Sequence, residues 1–338
     1  MLYVGLDIHT THITGCVLGD KGKVHERWTV PSCEQLIARL QRLSRFRVVF
    51  EASCGYGRFF TLLSQVAERV VVAHPGLLKI IFRSKQKNDR ADAFKLAQLL
   101  YVDQVPAVHV PSADARAWRE LITFRRRLVE KRTRAKNGIR GLLRSLGIVA
   151  PKRPGLWSRK GLAWLRELPL ENRMHALKRH VLLSEIETLS EQLRLVEQEL
   201  ARYAAGSAAV QILRTIPGVG LRTAEAVAAF IDNPHRFSHS KQIGSYFGLV
   251  PCQDQSGRTN RLGHITREGS ATVRQLLTEA AWQASRRSPT VRAYRERVQR
   301  DDPGRRKIAI VATAHYLARV MWALLKDGSV WQERPQAA

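Results

Sequence analysis

Few architectures accommodate the element order written into residues 2–100. Leu2, Val4 and Leu6 alternate with Tyr3, Gly5 and Asp7, the period of a half-buried strand. Residues 13–18 predict a second strand, Gly19-Asp20-Lys21-Gly22 a turn, and residues 24–30 a third strand, so the chain opens as an antiparallel meander. Helical spacing follows over 34–43, and Arg47-Val48-Val49-Phe50-Glu51 reads as a short buried strand. Then come a helix from about Tyr56 to Glu68, a strand over 70–73 and a helix from Lys87 to Leu100. Three strands, helix, strand, helix, strand, helix is a layered α/β arrangement, whose order alone does not fix the topology.

That order is the order of an RNase H-like domain. In such a sheet strands one and four are neighbours, and the last helix crosses their ends. Asp7 ends strand one in V-G-L-D-I-H, and Glu51 ends strand four in V-V-F-E-A-S. Asp89 and Asp92 stand three apart in K-N-D-R-A-D-A, on one helix face with Cβ atoms about 5–6 Å apart. Four carboxylates converging without a partner would repel. An all-oxygen ligand set suits Mg²⁺, which in pairs can activate an attacking oxygen and steady a leaving one in phosphoryl transfer. Taken alone, D-x-x-D is an ordinary solvated or N-terminal capping pattern; carboxylates set inside apolar strands are costlier to leave unpartnered.

Beyond residue 113 the chain becomes helical and basic. Between Arg116 and Arg144 there are eleven Lys or Arg against two Glu, within a chain of net charge +27. Arg125, Arg126, Arg127, Lys131, Arg132, Arg134, Lys136 and Arg140 are candidate contacts to a nucleic-acid backbone. Only Trp118 and Phe124 interleave, so a base-stacking platform is not indicated. The segment from Pro151 to Pro154 is expected to break this helix. Leu182, Ile186, Leu189, Leu193, Val196 and Leu200 then step by four, three, four, three and four, a heptad seam that either packs on its neighbour helix or forms a dimerisation arm. These shifts divide the chain into an α/β domain over 1–112, a basic helical, coiled-coil arm over 113–205, a mainly α-helical domain over 206–330 and a tail over 331–338.

Two motifs of the last domain bear on chemistry. Ile216-Pro217-Gly218-Val219-Gly220 is either an interhelical turn or a helix-hairpin-helix element, in which Gly218 and Gly220 let backbone N–H groups approach a phosphate and Arg222 adds charge. Between Gly248 and Gly269, Ser256 precedes Gly257 in a stretch carrying Arg258, Arg261 and Arg267. The Ser-Gly pair marks a turn; beside phosphate-binding arginines and a metal or base the same hydroxyl could attack a phosphodiester. Ser245 and Ser270 are rivals nearby. Cys16, Cys33, Cys54 and Cys252 form no C-x-x-C pair, which points away from a zinc or disulfide framework and towards a reducing, cytoplasmic setting. The apolar stretch over 308–325 contains His315 and Arg319 and reads as an amphipathic or buried helix, not a membrane span.

Together these motifs resemble the DEDD transposases of bacterial insertion sequences, the bridge-RNA-guided recombinases, which are related to Piv/MooV-type DNA invertases. V-G-L-D-I-H, F-E-A-S-C-G-Y-G, K-N-D-R-A-D-A, I-P-G-V-G and G-L-V-P…S-G…G-H-I-T-R-E-G followed by Arg274 occur in that family's order. The resemblance implies a RuvC-like first domain whose acidic tetrad falls on Asp7, Glu51, Asp89 and Asp92, and a C-terminal transposase domain whose serine nucleophile falls on Ser256. It implies a structured guide RNA, the bridge RNA, encoded beside the gene and pairing with donor and target DNA. It further implies dimers that assemble into a tetramer on DNA, with the serine of one protomer acting beside the metal site of another, in the bacterial cytoplasm at the nucleoid. Arg267 departs from the lysine usual at its position, keeping the charge and changing the geometry. A Piv-type site-specific invertase would share every motif, whereas a RuvC-like structure-specific nuclease would need the tetrad without Ser256.

Overall fold

The computed structural model describes residues 1–53, 55–82, 88–153, 155–257 and 259–333. The chain forms two compact units, Met1–Arg116 and Ala117–Ala338, the boundary falling in the first turn of a long helix.

The first unit is built from β1 (Leu2–Ile8), β2 (Ile13–Leu18), β3 (Val24–Val30), α1 (Cys33–Leu40), β4 (Phe46–Glu51), α2 (Tyr56–Leu63), β5 (Arg69–Ala73), α3 (Pro75–Ile81) and α4 (Asp89–Tyr101). The five strands form one mixed sheet in the order β3-β2-β1-β4-β5, antiparallel across the meander and parallel from β1 to β4 to β5. This is RNase H-like topology with flanking helices, as the element order predicts. Val4, Leu6, Val48 and Phe50 pack one face of the sheet on Leu36 and Leu40 of α1 and Leu63 of α2. Val49, Val71 and Ala73 pack the other on Leu78 of α3 and Leu96 and Leu100 of α4.

Helix α3 was not expected from the sequence. Its apolar run, P-G-L-L-K-I-I, has no polar stripe to show a helical period. Pro75 opens it with a preset φ and the His74 ring accepts the Leu77 N–H as its cap. The helix predicted to reach Glu68 stops at Leu63, and the chain turns directly into β5.

Gly5 sets the distance between α4 and the sheet. A Cβ at this position would lie 2.1 Å from the Ala93 carbonyl oxygen and 2.4 Å from the Ala97 nitrogen, so only glycine lets the helix lie directly on β1. Both obstacles are backbone and cannot rotate away. Gly5→Ala should therefore destabilise the first unit by about 3 kcal/mol, the upper end of the usual overpacking cost. Chemical denaturation measures this; an unchanged midpoint would remove the close approach as the reason for the glycine.

The second unit is mainly α-helical. It comprises α5 (Ala113–Ser145), α6 (Arg159–Glu167), α7 (Arg173–Ala205), α8 (Ala208–Arg214), α9 (Leu221–Ile231), α10 (Lys241–Tyr246), a hairpin of β6 (Pro251–Ser256) and β7 (Thr259–Ile265), α11 (Ala271–Arg287), α12 (Pro289–Gln299) and α13 (Arg306–Asp327). Helix α5 ends well before Pro151, where Gly147 takes a left-handed φ of 67°. Ala135, Ile139 and Leu143 of α5 pack with Leu183 and Ile186 of α7, Leu128 with Leu189 and Leu193, and Ile122 with Leu200. Numbers rising in α5 against numbers falling in α7 make the pair antiparallel, so the heptad seam is filled within the chain.

Helix α13 is the one helix among the described residues long and apolar enough to cross a membrane. Here it is a core helix, with Ala309, Ile310, Ala314, Leu317, Ala318 and Met321 buried against α11 and α12. The hairpin was read from sequence only as polar, glycine-containing segments. Every residue of β6 and all but Ile265 of β7 are exposed, so neither face carries the apolar alternation that betrays a strand.

Candidate functional site

β1 and β4 run in parallel with Leu6 opposite Phe50, so Asp7 and Glu51 follow side by side at the ends of neighbouring strands. Side chains alternate across a strand. Leu6 and Phe50 enter the core on the α1–α2 face, which turns Asp7 and Glu51 to the face where α4 lies against Gly5. Asn88 caps α4 by accepting the Arg90 N–H, and Asp89 and Asp92 occupy its first turn. The first turn is where a carboxylate gains most from the helix dipole. Asp7, Glu51 and Asp92 line one cleft of about 530 Å³ with His9, Ser53, Lys79 and Lys95. Asp89 stands at the rim of this group, reached through His9.

The electrostatics tie these residues together. Asp7 is the most enclosed acid, its side chain 18% exposed. Burial pushes its carboxyl up from the usual carboxylate range; His9 opposes that shift, and the charges of Asp89 and Asp92 add to it. Asp92 faces Lys95 at 3.5 Å. Asp89 is held below the ordinary range, chiefly by the hydrogen bond from His12 at 3.0 Å. His9 Nε2 lies 3.2 Å from Asp7 Oδ2 and 3.4 Å from Asp89 Oδ1, linking the strand acid to the helix acid. His9, His12 and Asp89 each offer one ligand atom, all within 4.8 Å of one another, a group able to hold a divalent metal ion. The histidines were missed in the sequence, although D-I-H-T-T-H, with two imidazoles bracketing a turn directly after an acid, is a readable signal. Burial first, and then the charges of Asp89 and Asp92, raise the Asp7 carboxyl, and a hard cation held by these oxygens relieves both, so the residues present fit Mg²⁺.

Ser256 belongs to the second unit, at the last position of β6. It pairs in register with Thr259 across the hairpin turn, and Gly257 takes a left-handed φ of 55°. The hydroxyl is exposed at the tip of a ribbon held by backbone hydrogen bonds. Ser270 is committed elsewhere, its hydroxyl accepting the Val273 N–H as the cap of α11; Ser245 is exposed on α10. Arg261 pairs with Asp254 across the ribbon. Arg267 has a left-handed φ of 59° and donates its N–H to the Gly248 carbonyl. Arg258 lies outside the described residues. Arg274, noted in the sequence only as a motif member, donates to the carbonyls of Phe247, Glu268 and Gly269, fastening the loop that carries the ribbon.

The basic residues fall into two groups. Arg127, Lys131, Arg134 and Arg140 are exposed along α5. Lys136 and Arg140 lie over the Trp157 ring, Lys136 with its pKa lowered by burial and by the charges of Arg132 and Arg140. Arg132 reaches Ser190 at 3.5 Å. Others are tied to acids: Arg125 to Glu197 at 2.6 Å, Arg126 to Glu130 at 2.7 Å, and Arg222 to both oxygens of Glu225. Arg125, Arg126, Arg134, Arg222 and Glu225 line a second cleft of about 530 Å³ among α5, α7, α9 and α11. Between α8 and α9, Gly218 has a φ of 90° and a Cβ there would collide with the α11 backbone at Ala284, which accounts for this glycine by packing alone. Gly220 caps α9 with open space where a Cβ would stand.

Glu225 makes a pH prediction. Its side chain is 1% exposed, and burial pushes the carboxyl up to about 7 against the pull of Arg222. The unfolded value is near 4.5, so between the two values the folded protein holds a proton that the unfolded chain has released. Stability from this group is therefore complete below pH 4.5 and is lost as pH rises through 7. Denaturation midpoints at pH 5 and pH 8 should differ more for the wild type than for Glu225→Gln; an equal difference would show that the group does not titrate there.

A DEDD transposase model of the IS110 group matches residues 4–148, and the model of the transposase IS116/IS110/IS902 family matches residues 210–296. A protein of Pseudomonas aeruginosa described as a probable family 20 transposase is 29% identical over 87% of this chain and 89% of its own length. The transposase for insertion sequence element IS1111A of Coxiella burnetii is 29% identical over 95% of this chain and 89% of its own. The transposase for insertion sequence element IS1328 of Yersinia enterocolitica is 26% identical over 85% and 86%. With one family model over the acidic sheet and another over the helical unit, and transposases alignable along nearly the whole length, the chain belongs to the IS110/IS1111 family of DEDD transposases and is an enzyme of DNA recombination and transposition.

Proposed function

We propose that this enzyme cuts and rejoins the DNA of its own insertion sequence through a phosphoserine intermediate, with Ser256 as nucleophile and Asp7, Glu51, Asp89 and Asp92 holding Mg²⁺. The observation that carries the reading is the gathering of Asp7, Glu51 and Asp92 from β1, β4 and α4 in one cleft, with Asp89 joined to Asp7 through His9, where burial and the charges of Asp89 and Asp92 raise the Asp7 pKa. When bound, Mg²⁺ supplies Lewis-acid polarisation of a phosphate oxygen. The protein's own groups do the rest. The Ser256 oxygen forms a bond to phosphorus as the bond from phosphorus to a deoxyribose oxygen breaks; the serine proton departs and the leaving oxygen takes up a proton. A free DNA hydroxyl then reverses the step on another strand, releasing the serine and conserving the phosphodiester energy. The exposed cations of α5, with Arg261 and Arg267 beside the ribbon, hold backbone phosphates, and a guide RNA encoded by the element selects donor and target by base pairing. The Ile216–Gly220 turn serves as a helix-hairpin-helix contact to phosphate through the open α9 N-terminus at Gly220. We assign residues 1–112 to the metal-binding domain, 113–205 to the arm and 206–330 to the serine domain, working as dimers paired into a tetramer.

The reading is tested by mixing the purified protein with Mg²⁺, RNA transcribed from the element's flanking sequence, and labelled donor and target DNA, then denaturing and resolving the products. A protein-linked DNA band that needs both Mg²⁺ and RNA is the expected result. Cleaved DNA with no linked band would replace the phosphoserine route by a nuclease.

A further inference from the structure

We propose that His9, His12 and Asp89 form a divalent-metal site that shares Asp89 with the acidic tetrad and is selective for a borderline transition metal such as Zn²⁺ over Mg²⁺. The site starts from a tight turn. The His9 N–H donates to the His12 carbonyl at 2.9 Å, closing the β1–β2 connection. The two rings stack 4.9 Å apart and only 25° from parallel, and both Nε2 atoms face Asp89. Asp89 arrives from the first turn of α4 and meets both, with Oδ1 3.4 Å from His9 Nε2 and Oδ2 3.0 Å from His12 Nε2. Asp89 thus offers one oxygen to each ring, and one ligand atom from each of the three residues lies within 4.8 Å of the others, a span that small side-chain shifts close to the roughly 3.0–3.4 Å edges of a zinc coordination polyhedron.

The donor chemistry sets the selectivity. Two imidazole nitrogens and one carboxylate oxygen favour Zn²⁺, Co²⁺ or Ni²⁺, whereas Mg²⁺ takes oxygen and gives up water reluctantly. With Nε2 facing the carboxylates, Nδ1 is the nitrogen left to an outer partner, and for His12 that partner is in place, since Thr11 Oγ1 lies 3.0 Å from Nδ1. An outer partner of this kind is what orients metal-ligating histidines. Asp7 Oδ2, 3.2 Å from His9 Nε2, lies within reach as a further oxygen ligand. All three ligands are partly exposed, their side chains between 33% and 36% accessible, so an ion can enter without unfolding the sheet.

The test needs neither DNA nor RNA, so its outcome is independent of the recombinase reading. The full-length protein is titrated with Co²⁺ and with Zn²⁺ in excess Mg²⁺, following the visible Co²⁺ band and the heat of Zn²⁺ binding, for wild type, His9→Gln, His12→Gln and Asp7→Asn. One equivalent should bind to the wild type despite Mg²⁺, with affinity falling at least about tenfold to a hundredfold in each histidine variant and much less in Asp7→Asn. X-ray absorption on the zinc-loaded wild type should show two imidazole nitrogens at about 2.0–2.1 Å, a readout that survives if a histidine variant fails to fold. Binding that persists in both histidine variants, displacement by Mg²⁺, or an all-oxygen zinc shell would each overturn the proposal.

Discussion

Asp7→Asn should lower Mg²⁺-dependent DNA cleavage by at least about 10²–10³-fold, the scale on which a single preorganised electrostatic group counts in catalysis, while leaving DNA retention nearly unchanged. The change keeps volume, removes the charge and replaces one acceptor oxygen by an NH2 donor. Asp7 is the most enclosed of the four acids, beside Glu51 and facing the α4 acids. A neutral amide there removes a ligand for a cation and also relieves the burial of charge, with the smaller repulsion from Asp89 and Asp92, that raises the Asp7 pKa. The folded protein should consequently be no less stable, and its thermal midpoint without metal should hold or rise. Retention should survive because the cations proposed to grip phosphate lie in the other unit. Cleavage rates under saturating Mg²⁺, measured with a filter-binding control, separate the outcomes. Retained cleavage would move the metal site away from β1, and a parallel loss of binding would make the effect structural.

How much of this was legible depended on whether a residue's role is written locally. β1, β2 and β4 each bury at least one face, so period two and apolar content expose them, and with their order comes the adjacency of Asp7 and Glu51. Asp89 and Asp92 announced themselves by helical spacing. The β6–β7 ribbon left no such mark, because both faces meet solvent, and α3 was hidden by an apolar run without a polar side. Pairings distant in sequence were the least readable. Arg125 and Arg222 look like free cations until Glu197 and Glu225 are found opposite them, and the latter carboxyl is buried at a position that sequence alone paints as a helix surface. His12 meets Asp89 across 77 positions, a contact that only the β1–α4 packing through Gly5 creates.

Ser256→Ala should abolish the covalent protein–DNA species altogether while leaving Mg²⁺ binding in the first unit intact. The substitution removes one oxygen from an exposed hairpin tip, where no core packing depends on it. Thermal stability should therefore shift by no more than about 0.5 kcal/mol, as for ordinary surface positions. A loss of linkage at constant stability isolates the hydroxyl chemically. Arg274→Ala supplies the contrasting case. That guanidinium fastens three carbonyls at the base of the ribbon and touches no part of Ser256 in this structure, so its removal should slow linkage by misplacing the nucleophile. One variant then loses the reacting atom and the other its support. If Ser256→Ala instead leaves a linked species, peptide mapping of the linkage decides between Ser245, exposed on α10, and Ser270, which would have to abandon the α11 cap to react. Should neither carry DNA, the exposed ribbon is a grip on nucleic acid, and the chemistry belongs to the acidic end of the sheet alone.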